Sequence, residues 1–356
     1  MRKVFITVHL KNFFLIVIAF VGFIVITSVL IVGVGNNDTI NMNKNMNKNK
    51  NKNAVIKSEE NKNIIKFDSL PKVTKIKILI TKTNKIKELN LEVYVTGVVA
   101  SEMPAEFKTE ALKAQAVAAR TYALAHVKEV GGLPCKNGNG ADLCDTVQCQ
   151  VYKNKDECIK VWGKEKGQEY WNKINSAVKA TSGQVLTYNN QLVMEPYYFA
   201  TSSGKTENSE DVFSTSIPYL RSVDSPGEEK VKNATSSKLF KYKELSKIIN
   251  NNYNSANVTS SNIRNQIMVV NRTQAGSVKN IKVGSITMTG SKFRTMLNLK
   301  SSNFKINFKL NGIEVDCSGY GHDVGMSQNG ANVMAKGGKS YVDILTHYYQ
   351  GTAISK

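Results

Sequence analysis

Apolar and polar positions fall into blocks along this 356-residue chain, and the first apolar block is the longest. From Phe13 to Gly35, 23 residues run with almost no polar interruption. That is enough to cross a hydrocarbon core, which needs roughly 20 helical residues. Arg2, Lys3 and Lys11 precede the run and no small-residue cleavage site follows it. It therefore reads as an uncleaved membrane anchor; a secretory signal carries an apolar stretch of only about 7–15 residues. The positive flank puts residues 1–12 in the cytoplasm and everything after residue 35 outside. The polar block NNDTINMNKNMNKNKNKN follows, with almost nothing to build a core, so residues 36–75 are expected to be a disordered tether.

Pattern returns near Lys75, where IKILI and then LEVYVTGVV carry the β-branched residues of strands. The second run is expected to continue as a strand through Val98–Val99 and to break at Ser101-Glu102-Met103-Pro104. A helix is predicted next, with Thr109 as N-cap, Glu110 in its first turn, Lys128 in its last and Gly131-Gly132 as terminator. Leu112, Ala116, Ala119, Ala123 and Val127 form its apolar stripe, and its alanines permit close approach of a sheet. Gln115, Tyr122 and His126 share another face. Tyr197–Phe199 reads as a strand entering a polar loop, Thr201 to Thr206. A helix is expected from near Ser327 to Gly337-Gly338, and another over Tyr341–Tyr349. The fold class is thus mixed α/β (α+β), with residues 76–356 as one large extracytoplasmic domain or two small ones behind a single membrane helix.

Charge changes the picture little. The net charge is +20, which ordinarily suggests nucleic acid, but the topology excludes that partner along with ATP and NAD. Anionic polymers of a cell wall suit an extracytoplasmic basic protein better. Cysteine usage matters more. Cys135, Cys144, Cys149 and Cys158 cluster, while Cys317 stands alone as a small buried hydrophobe. Cys144 and Cys149, spaced as in CDTVQC, together with His126 could ligate a structural zinc ion, the fourth ligand being water, Cys135 or Cys158. Two disulfides, Cys135–Cys158 and Cys144–Cys149, fit the spacing too.

Three segments carry candidate chemistry. Glu102 sits in the irregular turn before the helix, where partial desolvation would raise its pKa as a general acid requires; a solvated turn glutamate fits the same position. The GKT of residues 204–206 is not a P-loop, since the first glycine of that motif would fall at Phe199. Ser203 lacks the glycine spacing of a nucleophile elbow. A loop of hydroxyls, backbone N–H groups and Lys205 suits a sugar chain or a carboxylate. His322, among Gly319, Gly321 and Gly325, is either a site residue or a loop-shaping one.

The motifs VVASEMP…EALKAQAVAARTYAL, ATSSGKTENSEDVF…PYLRSV and GYGH-x-VGMSQ-x-GA together resemble the stage II sporulation protein D family, which includes the amidase enhancer of wall hydrolases. The resemblance covers most of residues 76–352. It departs at Asp323, where glycine is expected, and at Asn329, where an aromatic is usual. It implies a lytic transglycosylase that cuts peptide-free peptidoglycan glycan between N-acetylmuramic acid and N-acetylglucosamine during forespore engulfment, in the engulfing membrane and facing the forespore. A different class of function stays open, a non-catalytic glycan binder that stimulates a partner amidase. The resemblance makes Glu102 the catalytic acid/base, with no cofactor needed for that chemistry. Gln115, Arg120, Tyr198, Ser203, Lys205, Tyr320, His322 and Gln328 are expected to bind substrate. Expected partners are the engulfment amidase (stage II sporulation protein P) and a multispanning membrane protein (stage II sporulation protein M).

Overall fold

The computed structural model describes residues 65–356 apart from Asn233. The expected membrane span at 13–35 and most of the expected tether at 36–75 lie outside the described residues. Among the described residues no helix is long and apolar enough to cross a membrane. The predicted end of the tether needs correction, because packing already begins at Ile65. Ile65 is buried, its carbonyl accepts the Leu192 N–H at 2.9 Å, and the Phe67 N–H reaches the Asn190 carbonyl at 3.0 Å.

Strands β1 (Lys75–Ile80) and β2 (Lys85–Asn90) form an antiparallel hairpin. The next element corrects the sequence reading: LEVYVTGVVASE is helix α1 (Leu91–Glu102), not a strand. The Asn90 side chain starts it by accepting the N–H groups of Glu92 and Val93. Tyr94, Val95, Val98 and Val99 are fully buried, so the helix shows no polar face from which a 3.6-residue period could be read. A short apolar run of β-branched residues is ambiguous by pattern alone, and tertiary burial overrides its strand propensity.

Helix α2 (Thr109–Leu124) is the centre of the fold, with twelve of its sixteen residues buried. It is one turn shorter than predicted, Lys108 is its N-cap, and Lys128 belongs to a separate 3-10 turn ending at left-handed Gly131. Strand β3 (Leu143–Cys144) pairs parallel to β1, and α3 (Lys155–Trp162) leads into α4 (Lys164–Ala180). Strands β4 (Val185–Tyr188) and β5 (Gln191–Leu192) follow, then β6 (Tyr198–Phe199) and the short α5 (Ser209–Phe213).

After a stretch without regular structure the chain leaves this body for an inserted lobe. The lobe comprises β7 (Thr235–Lys241), α6 (Tyr242–Asn252), β8 (Ile267–Arg272), β9 (Val278–Val283), β10 (Ile286–Thr289), α7 (Gly290–Leu297), β11 (Phe304–Phe308) and β12 (Gly312–Ser318). Two three-stranded antiparallel sheets, β11-β12-β7 and β10-β9-β8, enclose a core separate from that of the main body. Its entry and exit lie side by side, since Thr235 pairs with Ser318 and the Gly319 N–H bonds to the Ala234 carbonyl at 2.7 Å.

The chain then rejoins the main body through β13 (Met326–Ser327), which pairs parallel to β6, followed by α8 (Gln328–Lys336) and α9 (Tyr341–Tyr348). Strand β14 (Ala353–Ser355) closes on β4. Helix α2 packs against α1, α4, α8, α9 and β4, so its alanines admit four helices as well as a sheet.

Gly97 tests how tightly α1 is seated. A Cβ there would overlap the Tyr152 ring and lie 2.5 Å from the Lys153 carbonyl oxygen. Alanine is the better helix former by about 1 kcal/mol, but overpacking costs about 1–3 kcal/mol. We expect Gly97→Ala to lower stability in denaturant unfolding; a gain would show that this contact yields freely.

Candidate active site

Helix α1 ends on Glu102, and three contacts from other elements fix the turn that follows. Lys173 of α4 donates to the carbonyls of Ala105 and Phe107 at 2.8 and 2.7 Å, and Asn332 of α8 accepts the Lys108 N–H at 2.9 Å. The Glu102 carboxyl, half-buried, accepts the Val151 N–H at 2.9 Å. Desolvation raises its pKa above the ordinary glutamate value, opposed by that N–H and by the Gln328 side chain. The negative end of the α1 dipole pushes the same way. A glutamate here holds its proton more readily than one in water.

The carboxyl opens into a cleft of about 460 Å³. Gln150 joins two tyrosines beside it, donating to the Tyr198 hydroxyl at 3.0 Å and accepting from that of Tyr94 at 3.2 Å. Burial raises the Tyr198 pKa first, and the Glu102 charge adds to it. Behind the acid, Gln328 makes a long 3.5 Å contact to Gln115, whose own Nε2 is buried without a partner among the described residues. His322 is ringed by Tyr197, Phe199 and Phe213, with centroids 6.0, 5.7 and 5.4 Å away. Its Nδ1 accepts the Val324 N–H at 3.2 Å. Burial, together with the nearby Arg294 guanidinium, holds its pKa down at about 4. His322 is therefore neutral and shapes the wall.

The loop around His322 explains why glycine suits its odd positions. Gly321 has φ +134°, and a Cβ there would lie 2.6 Å from the Phe199 side chain. Asp323 has φ +64°, a left-handed conformation that aspartate tolerates better than most residues. Its buried Oδ2 accepts from Ser301 at 3.2 Å, and burial pushes its pKa well up. At the other departure, Asn329 donates to the Ala200 carbonyl and Thr201 hydroxyl, both at 2.9 Å.

The structure brings Glu102, Tyr198 and His322 to the cleft, sets Gln328 against Glu102 with Gln115 behind it, and leaves Arg120, Ser203, Lys205 and Tyr320 outside the lining. Arg120 is fully buried, forked onto Glu92 at 2.9 and 2.6 Å with backbone carbonyls around it, so it staples α2 to α1. The Ser203 hydroxyl accepts from Asn303 of the lobe at 2.9 Å. Lys205 lies 3.9 Å from Asp224, and Tyr320 is exposed under the Lys300 ammonium. Glu228 instead organises the 201–206 loop, accepting from the Ser202 N–H and from Ser225 and Ser327 at 2.6–2.9 Å. Arg294 of α7 enters the cleft from the inserted lobe, a residue with no local sequence signal.

The metal set also needs correction. The thiols of Cys135, Cys144 and Cys149 lie within 4.8 Å of one another, and His126 is not in that group. The His126 Nδ1 faces the Tyr122 carbonyl at 2.8 Å and its ring stacks on Tyr122. Cys158 is buried elsewhere, directed at the Lys153 carbonyl, so the Cys135–Cys158 pairing is not formed; all five cysteines are free. Three convergent sulfurs suit a soft, tetrahedral ion such as zinc. Cys317 is buried in the lobe core, as expected of a small hydrophobe.

The stage II sporulation protein family model matches residues 80–188. The chain is 40% identical over 278 residues to stage II sporulation protein D of Bacillus subtilis (strain 168), covering 78% of this chain and 77% of that protein. The same figures hold for the protein of that name from Bacillus amyloliquefaciens. The amidase enhancer of Bacillus subtilis (strain 168) is 28% identical over 307 residues, covering 73% of this chain and 40% of that protein.

The Arg120 staple yields a test. Removing one partner of a buried ion pair costs about 3–5 kcal/mol, so Arg120→Ala should unfold at markedly lower denaturant concentration. A variant of unchanged stability would return Arg120 to a role outside the core.

Proposed function

This chain belongs to the stage II sporulation protein D family of sporulation proteins, and we propose that it is a membrane-anchored lytic transglycosylase of peptidoglycan. The observation that carries this reading is a partly desolvated Glu102 that is the one carboxylate among the described residues lining an aromatic-walled cleft. Hydrolytic glycosidases ordinarily need two carboxylates flanking the bond. Glu106 and Glu110, the nearest alternatives in sequence, are engaged elsewhere, with Tyr170 and with Lys113 and the Tyr341 N–H.

In the proposed reaction, protonated Glu102 gives its proton to the glycosidic oxygen as the bond to the muramic C1 breaks. The resulting carboxylate takes the proton of the C6 hydroxyl as that oxygen bonds to C1. The product has a 1,6-anhydro end, Glu102 regains its proton and no water is consumed. Tyr197 and Phe213 supply apolar faces against which sugar rings can stack. The glycan is taken to be peptide-free, with the domain outside the cell behind the residue 13–35 anchor, facing the forespore during engulfment. The engulfment amidase and the multispanning membrane protein named above are its proposed partners.

Cys135, Cys144 and Cys149 would hold a structural zinc ion. Zinc supplies no step here; it would cross-link the 135–149 segment, which leads directly to Gln150 and the Val151 N–H that receives Glu102. The full chain purified in detergent without chelator should carry about one zinc per molecule. Stripping it should expose the three thiols to titration and lower the melting temperature. Metal-free protein with no change in thiol reactivity would remove the ion from the account.

Glu102→Gln keeps an oxygen for the Val151 N–H but cannot transfer a proton. It should lose about 10²–10⁴ in rate. A non-catalytic amidase-stimulating protein would keep its stimulation in that variant. The pH dependence has a definite sign. Above the ordinary glutamate pKa the unfolded state releases its proton first, so the raised folded pKa disfavours folding as pH rises, fully so above the folded value. Glu102→Gln should therefore melt higher than wild type near pH 7 and no higher near pH 3, while wild-type turnover falls as pH rises through the raised pKa. A variant less stable at pH 7 than at pH 3, relative to wild type, would contradict a desolvated Glu102.

A further inference from the structure

Arg294 is the cationic side chain among the residues lining the cleft, and it comes from the inserted lobe. Its Nε donates to the Lys300 carbonyl at 3.2 Å, which fixes the guanidinium plane and leaves both terminal nitrogens without a partner among the described residues. No carboxylate of the described residues pairs with it. Asp323, whose carboxyl acts on Arg294 through space, is buried, with Oδ2 engaged by Ser301 and Oδ1 facing no donor among the described residues, and burial raises its pKa well above the ordinary aspartate value. Glu102 lines the same cleft, its carboxyl on the Val151 N–H, with no hydrogen bond or ion pair to Arg294 among the described residues. A partly desolvated, immobilised guanidinium in a sugar-sized cleft calls for a planar anion.

We propose that Arg294 binds the free lactyl carboxylate of N-acetylmuramic acid, so that the inserted lobe selects glycan from which stem peptides have been removed. The proposal rests on the glycan reading above. N-acetylglucosamine offers no charge. The lactyl group of muramic acid ends in an amide while a stem peptide is attached and becomes a carboxylate only when the peptide is cut away. Preference for bare strands then follows from one charge pair, where a steric gate against peptides would give the same preference without it.

The test separates these two origins by changing the ligand. Binding of the full-length Glu102→Gln chain in detergent is measured for three strand preparations: peptide-free, peptide-free with the lactyl carboxylates converted to methylamides, and stem-bearing. We expect methylamide strands to bind about 10–100-fold more weakly than carboxylate strands, the range of one charge-assisted contact. Adding Arg294→Gln should bring the two affinities together, and Arg294→Lys should restore part of the difference. Lys282→Gln, the same charge change at an exposed position of the lobe, should leave the ratio intact, which excludes general attraction to a basic protein. Equal affinity for carboxylate and methylamide strands, or an undiminished ratio in Arg294→Gln, overturns the proposal. Tightest binding to stem-bearing strands overturns it too, since the anion read would then be a peptide carboxylate. Cleavage by the wild-type chain is scored separately, so a protein that binds as expected but never cuts would refute the enzymatic reading and leave Arg294's role standing.

Discussion

The hydrogen bond from the Val151 N–H to the Glu102 carboxyl at 2.9 Å, seconded by that from the Tyr94 hydroxyl to Gln150 at 3.2 Å, joins the two parts of the chain on which the candidate site depends. On one side is α1, whose last residue is Glu102 and whose middle is buried on every face. On the other is the segment that carries the cysteine trio and then Gln150 and Val151. The carboxyl would be unremarkable in water. Placed at the negative end of a helix, half out of solvent, with one backbone donor, it has a raised pKa and keeps a proton more readily than a solvated glutamate. The surrounding packing keeps those opposing influences in balance: Lys173 and Asn332 hold the turn after Glu102, and Gln150 holds Tyr198 against it.

The inserted lobe adds a second layer. Its own core makes it a separate packing unit, yet its entry and exit strands are adjacent, so it can be carried by the main body without disturbing the helices around α2. Contacts such as Asn303 to Ser203 and Thr273 to Glu207, at 2.9 and 2.8 Å, set it against the loop that follows β6. That contact brings α7 to the cleft and Arg294 into it. The polar loop of residues 201–206 is thus less a binding surface than a joint, organised by the buried Glu228 on one side and by the lobe on the other.

Much of this was legible in the sequence, and the failures have physical causes. Position at the break before a helix, together with the SEMP motif of the family, singles out Glu102 in the sequence, and the alanine-rich apolar stripe marks α2. Helix α1 reads as a strand because burial of residues 94–100 on every face erases the period that marks a helix. Arg120, expected at the substrate, is instead satisfied in the core by Glu92 and three carbonyls, partners that α2's own sequence does not reveal. His126 was paired with Cys144 and Cys149 by proximity in sequence, whereas the fold turns its Nδ1 to Tyr122 and supplies Cys135 instead. Arg294 has no signal in the sequence, since only the docking of the lobe brings it to the cleft that Glu102 lines. Asp323 resolved differently: the backbone conformation that favours glycine there is retained, and the aspartate adopts it.

The central claim is that one carboxylic acid cuts a glycan without water, and the products report this directly. Peptide-free strands digested by the full chain in detergent, then separated and weighed, should carry 1,6-anhydro-muramyl ends lighter by one water than hydrolysed ends, with none of them accepting hydride from borohydride. Reducing muramic acid ends that gain two hydrogens on borohydride treatment would show water as the nucleophile and contradict the account.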